Sequence, residues 1–159
     1  MGDGKLSPIN GTSKSVGVSA LVESVSDKLY TFKPRRALDD SAARYRVLLA
    51  DDNVDFVSSL GALLSAEGHD VRIAHDGAEA LEVARRFDPQ FAFLDIGMPK
   101  VNGYEVARRL RREAVRCVLV AVTGWGQEED RLRAREAGFD RHLVKPVDPG
   151  QIEAILASH

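Results

Sequence analysis

From Arg44 onward, short apolar runs alternate with segments of helical periodicity, and this alternation restricts the chain to one class of fold. The predicted strands cover residues 45–50, 70–74, 91–94, 117–123 and 141–145. The predicted helices lie between Asn53 and Gly68, over 77–87, around 104–110, over 128–137 and over 151–157. Strands that alternate with helices at short spacing form a parallel sheet with right-handed crossovers. The sequence therefore predicts a doubly wound α/β domain with five parallel strands.

The third predicted strand carries the most distinctive polar residue. Phe91 to Leu94 has no polar interruption, which is typical of a strand buried on both faces of a parallel sheet. Asp95 follows directly, at the carboxyl end of the strand, where open α/β sheets place their ligand sites. Taken alone, Asp95 could equally cap a turn.

Four more polar residues end neighbouring strands and decide between these two interpretations. Asp51 and Asp52 follow the first strand, Thr123 ends the fourth and Lys145 ends the fifth. Converging carboxylates repel one another and need a cation, and oxygen ligands of this kind suit Mg²⁺. Lys145 supplies a compact positive charge suited to a phosphate or carboxylate. The set predicts a site for an anionic group, most naturally a phosphoryl group held with Mg²⁺.

Composition and charge exclude several other classes of protein. The 159 residues carry a net charge of −2, which gives neither a nucleic-acid footprint nor a membrane-surface footprint. The apolar runs are too short to span a bilayer, and no export signal follows Met1. Cys117 lies within an apolar run and is predicted to be a buried thiol. We therefore expect a cytoplasmic protein without direct contacts to nucleic acid or membranes.

Residues 1–43 differ from the rest of the chain. They are rich in Gly and Ser and are expected to form a mostly disordered N-terminal extension. Apolar residues at helical spacing allow a short helix over residues 18–29. The globular domain is predicted to span residues 44–159. With no room for an effector domain, the sequence favours a single-domain protein that acts on a partner.

Four motifs at strand ends carry a family resemblance: Val47–Asn53, Leu94–Pro99 with Gly103, Ala121–Gly124, and Lys145-Pro146. With them, the chain from Arg46 to about Leu156 resembles a response-regulator receiver domain, the CheY-like phosphoacceptor module of two-component signalling. Two further stretches are similar to receivers of hybrid histidine kinases: Thr123–Gly126 and His142–Val147. The resemblance implies a flavodoxin-like sheet with strand order 2-1-3-4-5 and helices on both faces.

The resemblance also implies roles for the site residues. Asp95 would accept a phosphoryl group from a kinase phosphohistidine. Asp51, Asp52, Asp95 and the backbone carbonyl of Gly97 would hold Mg²⁺, and Lys145 would gather charge on the phosphoryl oxygens. Such a protein is a signalling phosphoprotein that catalyses its own phosphorylation and dephosphorylation, and not an enzyme with a separate substrate. The implied partners are a sensor or hybrid histidine kinase and a histidine phosphotransfer protein of a phosphorelay.

Further positions are implied to govern switching and phosphoryl lifetime. Thr123 would move toward the phosphoryl group, and the switch position that is aromatic in the family is occupied by His142, which is smaller and polar. Gly97 and Trp125 stand where receivers tune hydrolysis, and they predict slow to moderate loss of the phosphoryl group. The peptide bond before Pro146 is expected to be cis, as in the family.

Other functions remain open at this point. A metal-dependent phosphatase of the haloacid-dehalogenase kind needs a second Asp two residues after the first, where this chain has Gly97. A flavodoxin-like nucleotide binder needs a Gly-rich loop after the first strand, where this chain has acidic residues. A receiver-like interaction module that works without phosphorylation, and a C-terminal receiver fragment of a hybrid kinase, are two further alternatives.

Overall fold

A five-stranded parallel sheet forms the centre of the fold. The computed structural model describes residues 43–159. The strands are β1 (Arg46–Ala50), β2 (Asp70–Ala74), β3 (Phe91–Asp95), β4 (Val118–Thr123) and β5 (Arg141–Val144). Their spatial order is β2-β1-β3-β4-β5, and every neighbouring pair is parallel. The predicted α/β class and strand order are confirmed. The helix predicted for residues 18–29 lies outside the described residues.

Helices cover both faces of the sheet. They are α1 (Val54–Ala66), α2 (Gly77–Phe87), α3 (Gly103–Arg112), α4 (Glu128–Ala137) and α5 (Pro149–Ala157). Apolar residues of α1 and α5 pack with one set of strand side chains, and those of α2, α3 and α4 pack with the other. All five positions of β3 are buried, as expected for a central strand covered on both faces. The buried sheet fixes the strand ends that carry the polar residues.

Side-chain caps start four of the helices shortly after the carboxyl ends of strands. Asn53, Asp76 and Asn102 each accept a hydrogen bond from a backbone N–H of the first turn of the helix that follows. Asp148 forms a capping box with Gln151. Because Pro149 occupies the first turn, α5 begins at Pro149 and not at residue 151 as predicted. These caps fix the residue at which each of the four helices begins.

One arginine of α3 is held against the rest of the fold and does not simply extend into water. The Arg111 side chain is 31% exposed and its Nη2 lies 2.6 Å from Asp140 Oδ2. Its guanidinium also donates to the carbonyls of Gly138 and Cys117, at 2.9 Å each. The last turn of α3 faces the end of α4 and the start of β4, where free carbonyls attract the guanidinium.

Two further findings concern the predicted buried thiol and the apolar runs predicted to be too short to span a bilayer. Cys117 is buried, and burial raises the pKa of its thiol to about 11, which keeps it protonated at neutral pH. Within residues 43–159, none of the helices has the length and apolar character needed to cross a bilayer.

Candidate functional site

The predicted site residues meet at the carboxyl edge of the sheet. Asp51 follows β1, Asp95 ends β3, Thr123 ends β4 and Lys145 follows β5. Asp51, Asp95 and Thr123 are the three polar residues that the described part of the chain buries, with exposed fractions of 3%, 6% and 3%. Buried polar groups are costly unless they are paired, so this concentration at one edge marks a candidate functional site.

Three carboxylates form the floor and rim of the site. Each of Asp51, Asp52 and Asp95 offers an oxygen, and these oxygens lie within 4.8 Å of one another. Asp51 Oδ1 accepts a hydrogen bond of 2.9 Å from the N–H of Asn53, which fixes the carboxylate after β1. Asp52 is exposed at the rim. An all-oxygen set of this kind, with two carboxylates buried and one exposed to water, fits Mg²⁺, which keeps several of its waters.

Lys145 provides the positive charge of the site. Its Nζ lies 2.8 Å from Asp51 Oδ2 and 3.2 Å from Asp95 Oδ1. The approach to Asp51 Oδ2 is an ion pair without good hydrogen-bond geometry. Burial alone would lower the pKa of Lys145, but the two carboxylates outweigh burial and raise the pKa above its ordinary value. The peptide bond between Lys145 and Pro146 is cis.

The Asp95 carboxylate is held in an environment that disfavours its charge. Burial, followed by the charge of Asp51, raises the pKa of Asp95 above its ordinary value, and Lys145 and the Gly97 N–H oppose this shift less strongly. Gly97 is exposed, and a Cβ there would lie 3.6 Å from Asp95 Oδ2, which is an ordinary contact. The loop after β3 therefore brings the Gly97 backbone beside the carboxylate while leaving space above it.

Thr123 and Trp125 lie on the loop after β4. The Thr123 Oγ1 accepts a hydrogen bond of 3.1 Å from the N–H of Trp125. Its hydroxyl hydrogen is therefore available to donate to another group. The Trp125 side chain is 71% exposed, so the indole lies largely in water.

His142 lies on β5, paired with Ala121 of β4. Its Nε2 is buried and has no hydrogen-bond partner among the described residues. Burial and then the charge of Arg131 lower the pKa of His142, which Asp130 partly opposes. The residue lines an open cleft of about 360 Å³ together with Arg131, Arg135 and Arg141.

The structure thus brings Asp51, Asp52, Asp95 and Lys145 together, whereas His142 lies on β5 three residues before Lys145 and pairs with Ala121 of β4. Sequence reasoning missed Phe56, whose ring centre lies 5.6 Å from Lys145 Nζ and holds the ammonium by a cation–π contact. Its place in the apolar pattern of α1 indicated only a core residue.

Comparison with known proteins gives a consistent result. A family model described as the response regulator receiver domain matches residues 47–157. The probable transcriptional regulator ycf27 of Porphyridium aerugineum is 36% identical over 113 residues, which cover 71% of this chain and 47% of that protein. The chain spans about half the length of the curated relatives it matches, 47%, 47% and 46% of the first three. Since these relatives are named as transcriptional regulators, they do not support the predicted absence of nucleic-acid contacts.

Solved structures show the same architecture. A CheY-like response regulator receiver domain protein from Methanospirillum hungatei matches with a TM-score of 0.66 at 27% identity, covering 73% of this chain and 96% of that chain. A response regulator from Burkholderia pseudomallei, solved with a phosphorylated aspartic acid, calcium ion and citrate, matches with a TM-score of 0.65 at 28% identity. That match covers 70% of this chain and 65% of the other.

Proposed function

Because the chain belongs to the response regulator receiver family of two-component signalling, we propose that Asp95 accepts a phosphoryl group from the phosphohistidine of a histidine kinase. The observation that carries this proposal is the convergence of Asp51, Asp52 and Lys145 on one buried carboxylate at the end of β3. The phosphorylated aspartic acid of the Burkholderia pseudomallei relative supports the same chemistry here.

The reaction needs an in-line attack on phosphorus. An oxygen of Asp95 forms the new P–O bond while the bond from phosphorus to the kinase imidazole breaks, so the product is an acyl phosphate and a free histidine. Lys145 lies 3.2 Å from Asp95 Oδ1 and would donate to an oxygen of the transferred group. Asp51, Asp52, Asp95 and the Gly97 carbonyl would hold Mg²⁺, which neutralises the charge on the carboxylates and phosphoryl oxygens.

Thr123 and His142 form the proposed switch. The Thr123 hydroxyl hydrogen is free to donate to the phosphoryl group, and movement of Thr123 would alter the packing of β4 against His142 on β5. Because the buried His142 Nε2 has no hydrogen-bond partner among the described residues, no hydrogen bond from this atom holds the ring in one rotamer. Comparing wild type with His142→Tyr, with and without a beryllofluoride phosphoryl analogue, tests the switch. We expect partner affinity to respond more strongly in the Tyr variant, and equal responses would exclude His142.

Hydrolysis of the acyl phosphate is proposed to be slow to moderate. Gly97 has no side chain that could orient an attacking water. Trp125 is the second position proposed to influence lifetime, although its indole is 71% exposed and would have to move to shield the site. A phosphoryl half-life of only seconds would contradict this proposal.

The kinase or phosphotransfer partner is proposed to dock on the exposed face of α1, which begins directly after Asp51 and Asp52. Ala62 lies in the middle of this exposed face, and Val54 at its start is 53% exposed. Between Asp55 and Glu67 the helix carries no charge. An Ala62→Arg variant should lose transfer from a phosphohistidine protein while it keeps phosphorylation by acetyl phosphate. Equal loss with both donors would place the defect in the site.

Incubation with acetyl phosphate tests the central proposal directly. Intact-mass measurement should show one added phosphoryl group on wild type in the presence of Mg²⁺, and none after EDTA or in Asp95→Asn. Absence of the group from wild type would favour an interaction module that works without phosphorylation. Continuous release of phosphate from many unrelated phosphomonoesters would instead favour a phosphatase.

A further inference from the structure

An ion pair joins the start of α2 to the loop that follows the phosphoacceptor strand. Lys100 Nζ lies 2.7 Å from Asp76 Oδ2, and the Asp76 side chain is only 15% exposed. Asp76 Oδ1 accepts a separate hydrogen bond of 2.8 Å from the N–H of Glu79, which caps α2. One carboxylate therefore holds the helix with one oxygen and the loop with the other. We call this pair of residues the Asp76–Lys100 bridge.

The backbone of the same loop packs directly on α2. A Cβ on Gly77 would lie 1.8 Å from the Val101 carbonyl oxygen, so only glycine permits this approach. At the other end of the loop, a Cβ on Gly103 would lie 2.5 Å from the Asp95 carbonyl oxygen. The loop between Asp95 and Gly103 is thus confined between the sheet and the start of α2.

Lys100 also has an unusual backbone conformation. Its φ is +64°, in the left-handed region that residues with a side chain seldom adopt. A non-glycine residue keeps such a conformation when its surroundings hold it there. The ion pair to Asp76 supplies such a restraint, since it fixes the side chain that leaves the strained backbone position.

We propose that Asp76 and Lys100 are positioning residues of the phosphoacceptor site, whose bridge sets the orientation of the Gly97 carbonyl and so the affinity for Mg²⁺. This inference rests on the proposed function. Gly97 lies between Asp95 and Lys100 in the confined loop, and its backbone N–H favours the charged form of the Asp95 carboxylate. Mg²⁺ requires near-ideal octahedral geometry, so a small rotation of one ligating carbonyl weakens binding.

The signs of the two charges allow positioning by the bridge to be distinguished from a simple electrostatic effect on Mg²⁺ affinity. Lys100→Met removes a positive charge near the site and, through charge alone, would strengthen Mg²⁺ binding. Asp76→Asn removes a negative charge and would weaken it, while the Asn oxygen still caps α2. If the bridge acts by positioning, both variants weaken Mg²⁺ binding. The double variant should then bind Mg²⁺ no more weakly than either single variant.

The experiment is calorimetric titration of the full chain with MgCl₂, combined with amide hydrogen exchange in metal-free buffer. We expect Asp76→Asn and Lys100→Met each to weaken Mg²⁺ binding about tenfold, as for other groups that orient metal ligands. Lys100→Arg should stay close to wild type. The amides of Val101 and Gly103, which donate to Pro99 and Ile96 at 2.8 and 3.1 Å, should exchange faster in both weakened variants.

Arg86→Met is the matched control, because it breaks an exposed ion pair of 2.9 Å to Glu82 on the same helix. It should change neither Mg²⁺ affinity nor exchange in the loop. Unchanged affinity in both bridge variants, or opposite shifts in the two, would overturn the inference while the proposed function stands. A wild type that neither binds Mg²⁺ nor accepts a phosphoryl group from acetyl phosphate would overturn both.

Discussion

Replacing Asp95 with Asn should stabilise the metal-free protein, because the ionised Asp95 carboxylate is unfavourable in the folded state. Asp95 is 6% exposed. Burial and then the Asp51 charge raise the pKa of Asp95 above its ordinary value of 3.8. The amide of Asn has nearly the same size and carries no charge. The Asn variant, which would lack the proposed phosphoryl acceptor, is therefore expected to be the more stable protein.

The size of the gain follows from the distances. The Asp51 and Asp95 oxygens lie within 4.8 Å, which at an effective dielectric constant of about 20 gives a repulsion of roughly 3.5 kcal/mol. The attraction to Lys145 at 3.2 Å stabilises the ionised carboxylate by roughly 5 kcal/mol, whereas burial of a carboxylate costs several kcal/mol. The unfavourable contributions prevail by a small margin. We expect Asp95→Asn to raise the free energy of unfolding at pH 7 by roughly 1–2 kcal/mol, or about 4–8 °C in Tm.

The stability difference between wild type and Asp95→Asn should depend on pH with a definite sign. Near pH 3 the Asp95 carboxyl is protonated in both states, so wild type and Asp95→Asn should be equally stable there. Because the folded-state pKa is raised above 3.8, the folded state binds more protons between the two pKa values, and wild type loses stability as pH rises through the raised pKa. The advantage of the Asn variant should therefore develop across this window and persist at pH 7.

The assay is urea and thermal unfolding in EDTA, repeated with saturating MgCl₂. Mg²⁺ should stabilise wild type more than Asp95→Asn and so narrow the difference between them. Glu136→Gln changes an exposed carboxylate of α4 to an amide and should alter stability by less than about 0.5 kcal/mol. An Asn variant that is equally or less stable than wild type in EDTA at pH 7 would refute the electrostatic reasoning.

Three further substitutions test other parts of the structure. Gly77→Ala places a Cβ 1.8 Å from the Val101 oxygen, and should cost roughly 1–3 kcal/mol in urea unfolding. A Gly77→Ala variant that unfolds at the wild-type urea concentration would contradict this packing. Gly97→Asn adds a Cβ at an ordinary 3.6 Å from Asp95 Oδ2, so the variant should fold normally. The Asn side chain should orient a water and shorten the acyl-phosphate half-life. An unchanged half-life would show that position 97 does not influence hydrolysis. Arg111→Met removes the donor that bonds to two carbonyls and to Asp140, whose Oδ2 keeps only the Leu119 N–H. The variant should lose roughly 2–4 kcal/mol of stability, whereas a loss no larger than that of Arg108→Met would show that these bonds add nothing.

The fold and the composition of the site could be predicted because both depend on regular spacing. Apolar runs separated by helical segments determine a parallel sheet, and parallel strands place their carboxyl ends at one edge. Asp51, Asp95 and Lys145 therefore converge without any knowledge of side-chain conformations. The family resemblance supplied the strand order, which periodicity alone leaves open.

The features that could not be predicted depend on side-chain reach between segments distant in the chain. Arg111 reads as one of several arginines on α3, but its position in the last turn lets its guanidinium reach the free carbonyls of Gly138 and Cys117. Lys100 lies 24 residues from Asp76 in a loop without periodicity. Neither pairing leaves a pattern that repeats along the sequence, so only three-dimensional placement identifies it.

Because the site is distributed over the sheet, the proposed phosphorylation would depend on complete folding of the sheet. Asp51, Asp95, Thr123 and Lys145 each belong to a different strand or strand end, and Lys145 follows β5, the last of the five described strands in chain order. A chain in which β5 has not yet joined β4 has the acceptor carboxylate but lacks the ammonium that pairs with it. Under the proposed function, only molecules whose β5 is in place would offer a complete acceptor site, and incompletely folded chains would not be phosphorylated.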